Sequence, residues 1–182
     1  MAKISHLLRD FHFSAHFLAA FALMGCTSVE FADNVSVANP LDEFESEVVV
    51  LLNELRAGAG VPTVKVCASL NVATSAHSDD MRDKNYLSDV APDKSTTPTR
   101  ACAAGYAPAC IGSAGMVEFI AKGNGEGDAT FNQWKMDADT SVMLTRSEFV
   151  VVGVGRSLGA DKPIWTMDMA DKPDESCDEA AP

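Results

Sequence analysis

The chain has 182 residues, with 14 Lys and Arg against 26 Asp and Glu, a formal net charge of −12 and 47% hydrophobic residues. That is enough apolar material for one domain with a full core. The acidic balance and the lack of a basic run exclude the electrostatic footprint of a nucleic-acid binder and disfavour anionic partners in general.

Lys3 and Arg9 precede an apolar stretch from Phe11 to Met24. This is shorter than the roughly 20 residues a spanning helix needs, so residues 1–25 read as a secretory signal. Leu23, Met24, Gly25 and Cys26 resemble the bacterial lipobox, whose Cys is lipidated and becomes the new N-terminus. The expectation is an exported protein held to a membrane by a lipid on Cys26. Thr27 is not the Asp associated with inner-membrane retention, so the outer membrane is expected where one exists.

Lipidation of Cys26 takes one of five cysteines and leaves Cys67, Cys102, Cys110 and Cys177. These allow three connectivities in an oxidising compartment. Cys102 with Cys110, closing a short loop, and Cys67 with Cys177, tying the tail to the body, are the favoured pairs. There is no CxxC pair to suggest zinc. Cleavage before Cys26 would also remove His6, His12 and His16 and leave His77 alone. A single histidine excludes a two-histidine metal site within the chain and leaves at most one Ser-His or Cys-His dyad.

Residues 26–39 are polar and read as a tether, and residues 40–171 as the domain. Asn39 and Pro40 look like an N-cap and first helical residue, ahead of Phe44, Val48, Leu51, Leu52 and Leu55 at helical spacing. Gly58 and Gly60 stop that helix. Val61–Val66 is a short extended piece, and a second helix from Ser69 to near Asn85 aligns Leu70, Ala73, His77 and Met81. Pro92 and Pro98 force a loop, and Thr99–Ala104 makes a short helix closed by Gly105. A glycine-rich turn at 123–127 leads into a helix bearing Phe131, Trp134 and Ala138.

The period then changes. Phe149–Val154 is a β-branched run, and Ile164–Met169 alternates with Trp165, Met167 and Met169 on one side, so the two read as strands joined by a turn at Gly159 and Asp161. Helices followed by a hairpin give an α+β domain. Residues 172–182 are an acidic tail, expected to fray apart from Cys177.

In order and spacing, LLNELRAGAGVP at 51–62, AHSDDMRDKNYLS at 76–88, TPTRACAAGY at 97–106, VEFIAKG at 117–123, the helix around Trp134, VVGVGRS and IWTMDMA resemble one family. It is the CAP superfamily of cysteine-rich secretory, antigen 5 and pathogenesis-related proteins, in its bacterial SCP-domain form. The resemblance implies a three-layer α-β-α sandwich, stapled here by disulfides. It also implies a cavity with two histidines and one or two glutamates that sometimes holds a divalent metal. Here the Phe-Ser-His step reads Leu87, Ser88, Asp89, and Gly-Glu-Asn-Ile reads Val117, Glu118, Phe119, Ile120. The position of the second histidine, six after Trp134, is Thr140. Glu118 alone matches the site, so activities that depend on the histidines do not carry over.

His77 reads as a packed histidine bonded to a neighbour. Asp89, Glu118, Asp137 and Asp139 fall on or beside segments that line the family cavity and could gather around calcium or magnesium. Two acids sharing the cleft without a metal would raise one pKa. Gly153-Val154-Gly155 lacks the helix of a nucleotide fingerprint, and the 123–127 loop lacks GK[ST]; these glycines read as turn punctuation. Trp134 and Trp165 read as core.

Two functions follow. The first is a lipid-anchored binding module of the cell envelope, without catalysis, whose partner is a lipid, peptide, glycan or protein. The second is a hydrolase using Asp89 and Glu118 as acid and base, with or without a divalent cation.

Overall fold

The computed structural model describes residues 39–159 and 162–177. The expected signal segment, Cys26, the rest of the expected tether, Asp161 of the expected turn and residues 178–182 lie outside the described residues.

Helix α1 (Glu43–Gly58) starts later than Asn39 and Pro40 suggest, because a stronger cap lies just downstream. The Asp42 carboxylate accepts from the Glu45 backbone N–H at 2.9 Å while the Glu45 carboxylate accepts from that of Asp42 at 2.8 Å, which satisfies two otherwise orphaned donors. Asn39 instead donates its amide to the Asn71 carbonyl and the Ser75 hydroxyl of the second helix, fastening the entering chain. Beyond the C-cap, Gly60 at φ +73° turns the chain away.

Four strands form one sheet, β1 (Lys65–Val66), β2 (Met116–Lys122), β3 (Val151–Arg156) and β4 (Ile164–Ala170), in the order β1-β3-β4-β2. Only β1 and β3 run parallel; β3 and β4 are the expected antiparallel pair. Strand β2 completes the sheet on the far side of β4, with Glu118 opposite Asp168. Period 2 sorts the side chains. Phe119, Ala121, Val152, Val154, Trp165, Met167 and Met169 join the main core with α1 and Phe131 and Trp134 of α5 (Gly127–Met136). Both tryptophans are buried, their indole N–H groups donating to the Ile120 and Asn124 carbonyls.

The other face carries α2 (Ala68–Asp83) and completes the α-β-α layering that the sequence led us to expect. Here Gly153 and Gly155 are not turn punctuation. A Cβ on Gly153 would stand 2.4 Å from the Leu70 backbone, and one on Gly155 would stand 2.2 Å from the Ser75 nitrogen. Strand β3 therefore uses glycine because α2 lies directly on its backbone. Ser78 locks the contact by donating to the Gly155 carbonyl at 3.0 Å, beside the Thr166 hydroxyl at 2.9 Å.

Three local expectations shift. Helix α3 (Thr97–Ala103) begins two residues earlier than Thr99, with Pro98 in its first turn where no N–H is needed. A one-turn helix, α4 (Ala107–Cys110), follows. Ala138 belongs to a separate helix, α6 (Ala138–Leu144), because Asp137 turns extended and caps it through the Asp139 and Thr140 N–H groups.

Both favoured disulfides are present, Cys67–Cys177 and Cys102–Cys110. The first corrects the picture of a frayed tail. Residues 172–177 pack against the body, with Cys177 buried, the Tyr106 hydroxyl on the Lys172 carbonyl and the Ser69 and Ser176 hydroxyls 2.6 Å apart.

Candidate binding cavity

Four elements bring four ionisable side chains together on the α2 face of the sheet. Glu118 and Asp168 face each other across the β2–β4 ladder, His77 comes down from α2, and Arg100 reaches in from α3. Arg100 Nη2 donates to Glu118 Oε2 at 2.7 Å, with the two side chains 11% and 3% exposed. The other Glu118 oxygen, Oε1, lies 3.6 Å from His77 Nε2, beyond hydrogen-bond length. His77 Nε2 is 3.0 Å from the Ser88 carbonyl. A carbonyl only accepts, so Nε2 carries the proton and Nδ1 is a bare acceptor.

Among the described residues, the buried side-chain polar atoms without a partner are His77 Nδ1, Glu118 Oε1 and Asp168 Oδ1. All three belong to this one cluster. Unpaired buried polar groups are costly and rare, so their concentration here sets the cluster apart from an ordinary core.

Burial pushes the Asp168 carboxyl well up, the adjacent Glu118 charge and contact push it further, and the Arg100 charge only partly opposes them. Asp168 is thereby shifted toward its protonated form, beside the ion pair of Glu118 and Arg100. Burial also holds His77 below its ordinary value, against the pull of Glu118, so the imidazole is neutral. Next to it, Tyr86 donates to Asp80 at 2.5 Å, and burial raises its pKa.

A raised carboxyl pKa has a definite consequence. The unfolded Asp168 titrates near ~3.9, and the folded one well above it, so between those values folding takes up a proton and stability falls as pH rises, by about 1.4 kcal/mol per pH unit at most. Asp168→Asn is expected to remove that slope, giving a flatter urea-unfolding profile between mildly acidic and neutral pH than the unmodified protein. An unchanged slope would show that Asp168 is ionised in the fold.

Beside the cluster is a cavity of about 300 Å³ between α2, the 91–95 loop and α3. Val72, Ala73, Ala76 and Ala103 give it an apolar wall, and His77 and Arg100 are shared between that wall and the acidic cluster. The structure does not bring the four sequence-marked acids together. Glu118 is in the cluster. Asp89 is exposed; its backbone carbonyl accepts from Arg100 at 2.9 Å, and its carboxylate reaches only the Ser88 hydroxyl, at 3.5 Å. Asp137 and Asp139 are exposed at the start of α6, where Asp137 is committed to its cap. Thr140 bonds the Trp134 carbonyl.

These placements do not fit calcium or magnesium. One Glu118 oxygen belongs to Arg100, Asp168 is buried with its carboxyl pKa pushed well up, and the other three carboxylates point elsewhere. Among the described residues, the one group of three metal-type side chains within 4.8 Å is Cys67, Asp174 and Cys177, and its two sulfurs are already joined.

Two members of the cluster went unremarked in the sequence. Asp168 had a signal: an acid in an otherwise apolar strand, on the side away from Trp165, Met167 and Met169. Arg100 had none beyond its place in TPTRACAAGY.

The sequence matches the cysteine-rich secretory protein family, CAP, over residues 49–169. The chain belongs to this family. Solved structures agree on the fold. An outer surface protein of Borrelia burgdorferi is 14% identical with a TM-score of 0.62, over 73% of this chain and 97% of that one. An extracellular SCP-domain protein of Bacillus anthracis is 22% identical with a TM-score of 0.61, over 74% of this chain but 45% of its own. A cysteine-rich secretory protein of Staphylococcus aureus is 13% identical with a TM-score of 0.51, over 73% of this chain and 41% of its own. No curated protein matches the sequence significantly. This CAP domain thus departs from the pattern expected of its family at both histidine positions and builds its cavity around a different set of side chains.

Proposed function

We propose that the chain is an exported CAP domain, anchored to the cell envelope by a lipid on Cys26, that holds a small, largely apolar ligand or ligand segment in the cavity between α2 and α3 and performs no catalysis. The observation that carries this reading is the state of Glu118. A hydrolase needs its acid and base to reach a common water or substrate proton. Glu118 is shut away in an ion pair, its neighbour Asp168 is buried with its carboxyl pKa pushed well up, and Asp89 faces solvent. Next to this neutralised cluster, the small apolar residues of α2 and α3 leave space of the size ligand sites begin at. The two disulfides support an oxidising compartment. Among the described residues no helix is long and apolar enough to cross a membrane, and the anchor is proposed from the lipobox-like Leu23, Met24, Gly25 and Cys26.

Native mass spectrometry of the protein released from its own envelope fraction tests the reading. A small adduct is expected on the unmodified protein and not on Ala76→Phe, which fills the cavity from the exposed side of α2. Cys26→Ser is expected to move the protein from the membrane pellet to the soluble fraction. Turnover of peptides or envelope polymers, lost in Glu118→Gln with the fold intact, would establish the hydrolase instead.

A further inference from the structure

We infer that the Arg100 guanidinium takes the place of a divalent cation, a tethered internal charge that makes this cavity independent of metal. The evidence is the set of oxygens that closes around it. Arg100 Nη1 donates to the Ser95 carbonyl at 3.0 Å. Nη2 donates to the Asp89 carbonyl at 2.9 Å, the Thr97 hydroxyl at 3.4 Å and Glu118 Oε2 at 2.7 Å. Backbone carbonyls, a hydroxyl and a carboxylate are the donor types that hard cations collect.

Here they come from the loop before α3, from Thr97 at the start of α3 and from one strand, and they converge on a planar cation whose fork of N–H groups suits several oxygens at once. The side chain is 11% exposed, so the arrangement is built into the fold and is not a loose surface pair. A buried carboxylate needs a positive partner. Arg100 provides it with no ion from solution, and a divalent cation entering beside it would meet a fixed like charge.

Remove the guanidinium and the oxygens stay. Glu118 is then an unpaired carboxylate next to His77 and Asp168, a set that a divalent cation can neutralise. Arg100→Met keeps much of the apolar stem and deletes only the charge.

Calorimetric titration of the purified protein with calcium chloride and manganese chloride, beside thermal melts with and without each ion, is the test. The unmodified protein is expected to show no saturable binding up to millimolar ion. Arg100→Met is expected to bind one ion at least tenfold more tightly, and Arg100→Met with Glu118→Gln to lose it again. Arg100→Lys, which keeps the charge, is expected to take up none. Stoichiometric metal in the unmodified protein or in Arg100→Lys overturns the inference, as does a folded Arg100→Met that gains no affinity. If Arg100→Met is unfolded without metal, recovery of a cooperative melt on adding calcium or manganese supports the inference, and no recovery overturns it. The inference does not rest on the binding reading. An adduct in the cavity leaves it standing, and metal in the unmodified protein would sink it without touching the adduct experiment.

Discussion

Arg56→Ala is expected to cost at least about 4 kcal/mol and to leave the domain unfolded at 37 °C. Arg56 is fully buried in the last turn of α1, yet it contacts no carboxylate. Its guanidinium donates to four backbone carbonyls, those of Pro62 at 2.8 Å, Leu144 at 2.8 Å, Arg146 at 3.1 Å and Phe149 at 2.7 Å. One side chain thus ties α1 to the loop before β1 and to the segment between α6 and β3. Removing it strands several acceptors, each costing about 1–3 kcal/mol, and opens a cavity where the side chain lay. Total stabilities are about 5–15 kcal/mol, so a loss of this size takes much of the margin. Arg56→Lys keeps a charge but not the planar fork, and should fall between. Urea unfolding of the three proteins checks the order. A loss under about 2 kcal/mol in Arg56→Ala would mean that water replaces the guanidinium at little cost.

The two disulfides should differ in the same assay by a factor of about two. Cys67–Cys177 spans a sequence separation of 110 and Cys102–Cys110 one of 8. If a crosslink acts by restricting the unfolded chain, the long loop contributes about 5 kcal/mol and the short one about 2.5. The double variants Cys67→Ala with Cys177→Ala, and Cys102→Ala with Cys110→Ala, measure each without leaving a free thiol. The long crosslink also holds residues 172–177 on the body, so its loss should free the Tyr106 hydroxyl and the Ser69–Ser176 contact. Mild reductant should open Cys102–Cys110 first, since Cys67 and Cys177 are buried and Cys110 is exposed. Equal losses from the two double variants would point to enthalpy in the native state and away from chain entropy.

Glu118, Arg100, Asp168 and His77 together explain why a CAP domain that lacks the expected histidines need not have an empty cavity. One ion pair, one carboxyl pushed up by burial and one imidazole held below its ordinary pKa by burial fill the site.

The sequence by itself determined the existence of α1, α2, β3 and β4 and the family resemblance, which carried the α-β-α layering with it. It favoured the two disulfides among three connectivities, and the structure decided them. The elements and the resemblance are written in local or ordered signals: a helical period around Val48 and Leu52, a β-branched run at 149–154, alternation at Trp165, Met167 and Met169, and an order of short segments that resembles the family's. Only the tertiary structure decided the cavity. Asp168 and Glu118 are 50 positions apart in the numbering and become neighbours through the register of β2 on β4. Arg100 matters because α3 aims it at that ladder, and His77 because α2 lies so close to β3 that Gly153 and Gly155 have no room for a side chain. The same closeness separates a cluster member from a surface acid. The sequence marks both Asp89 and Glu118, but only Glu118 is buried and paired, because that depends on which face of the finished sheet the chain covers.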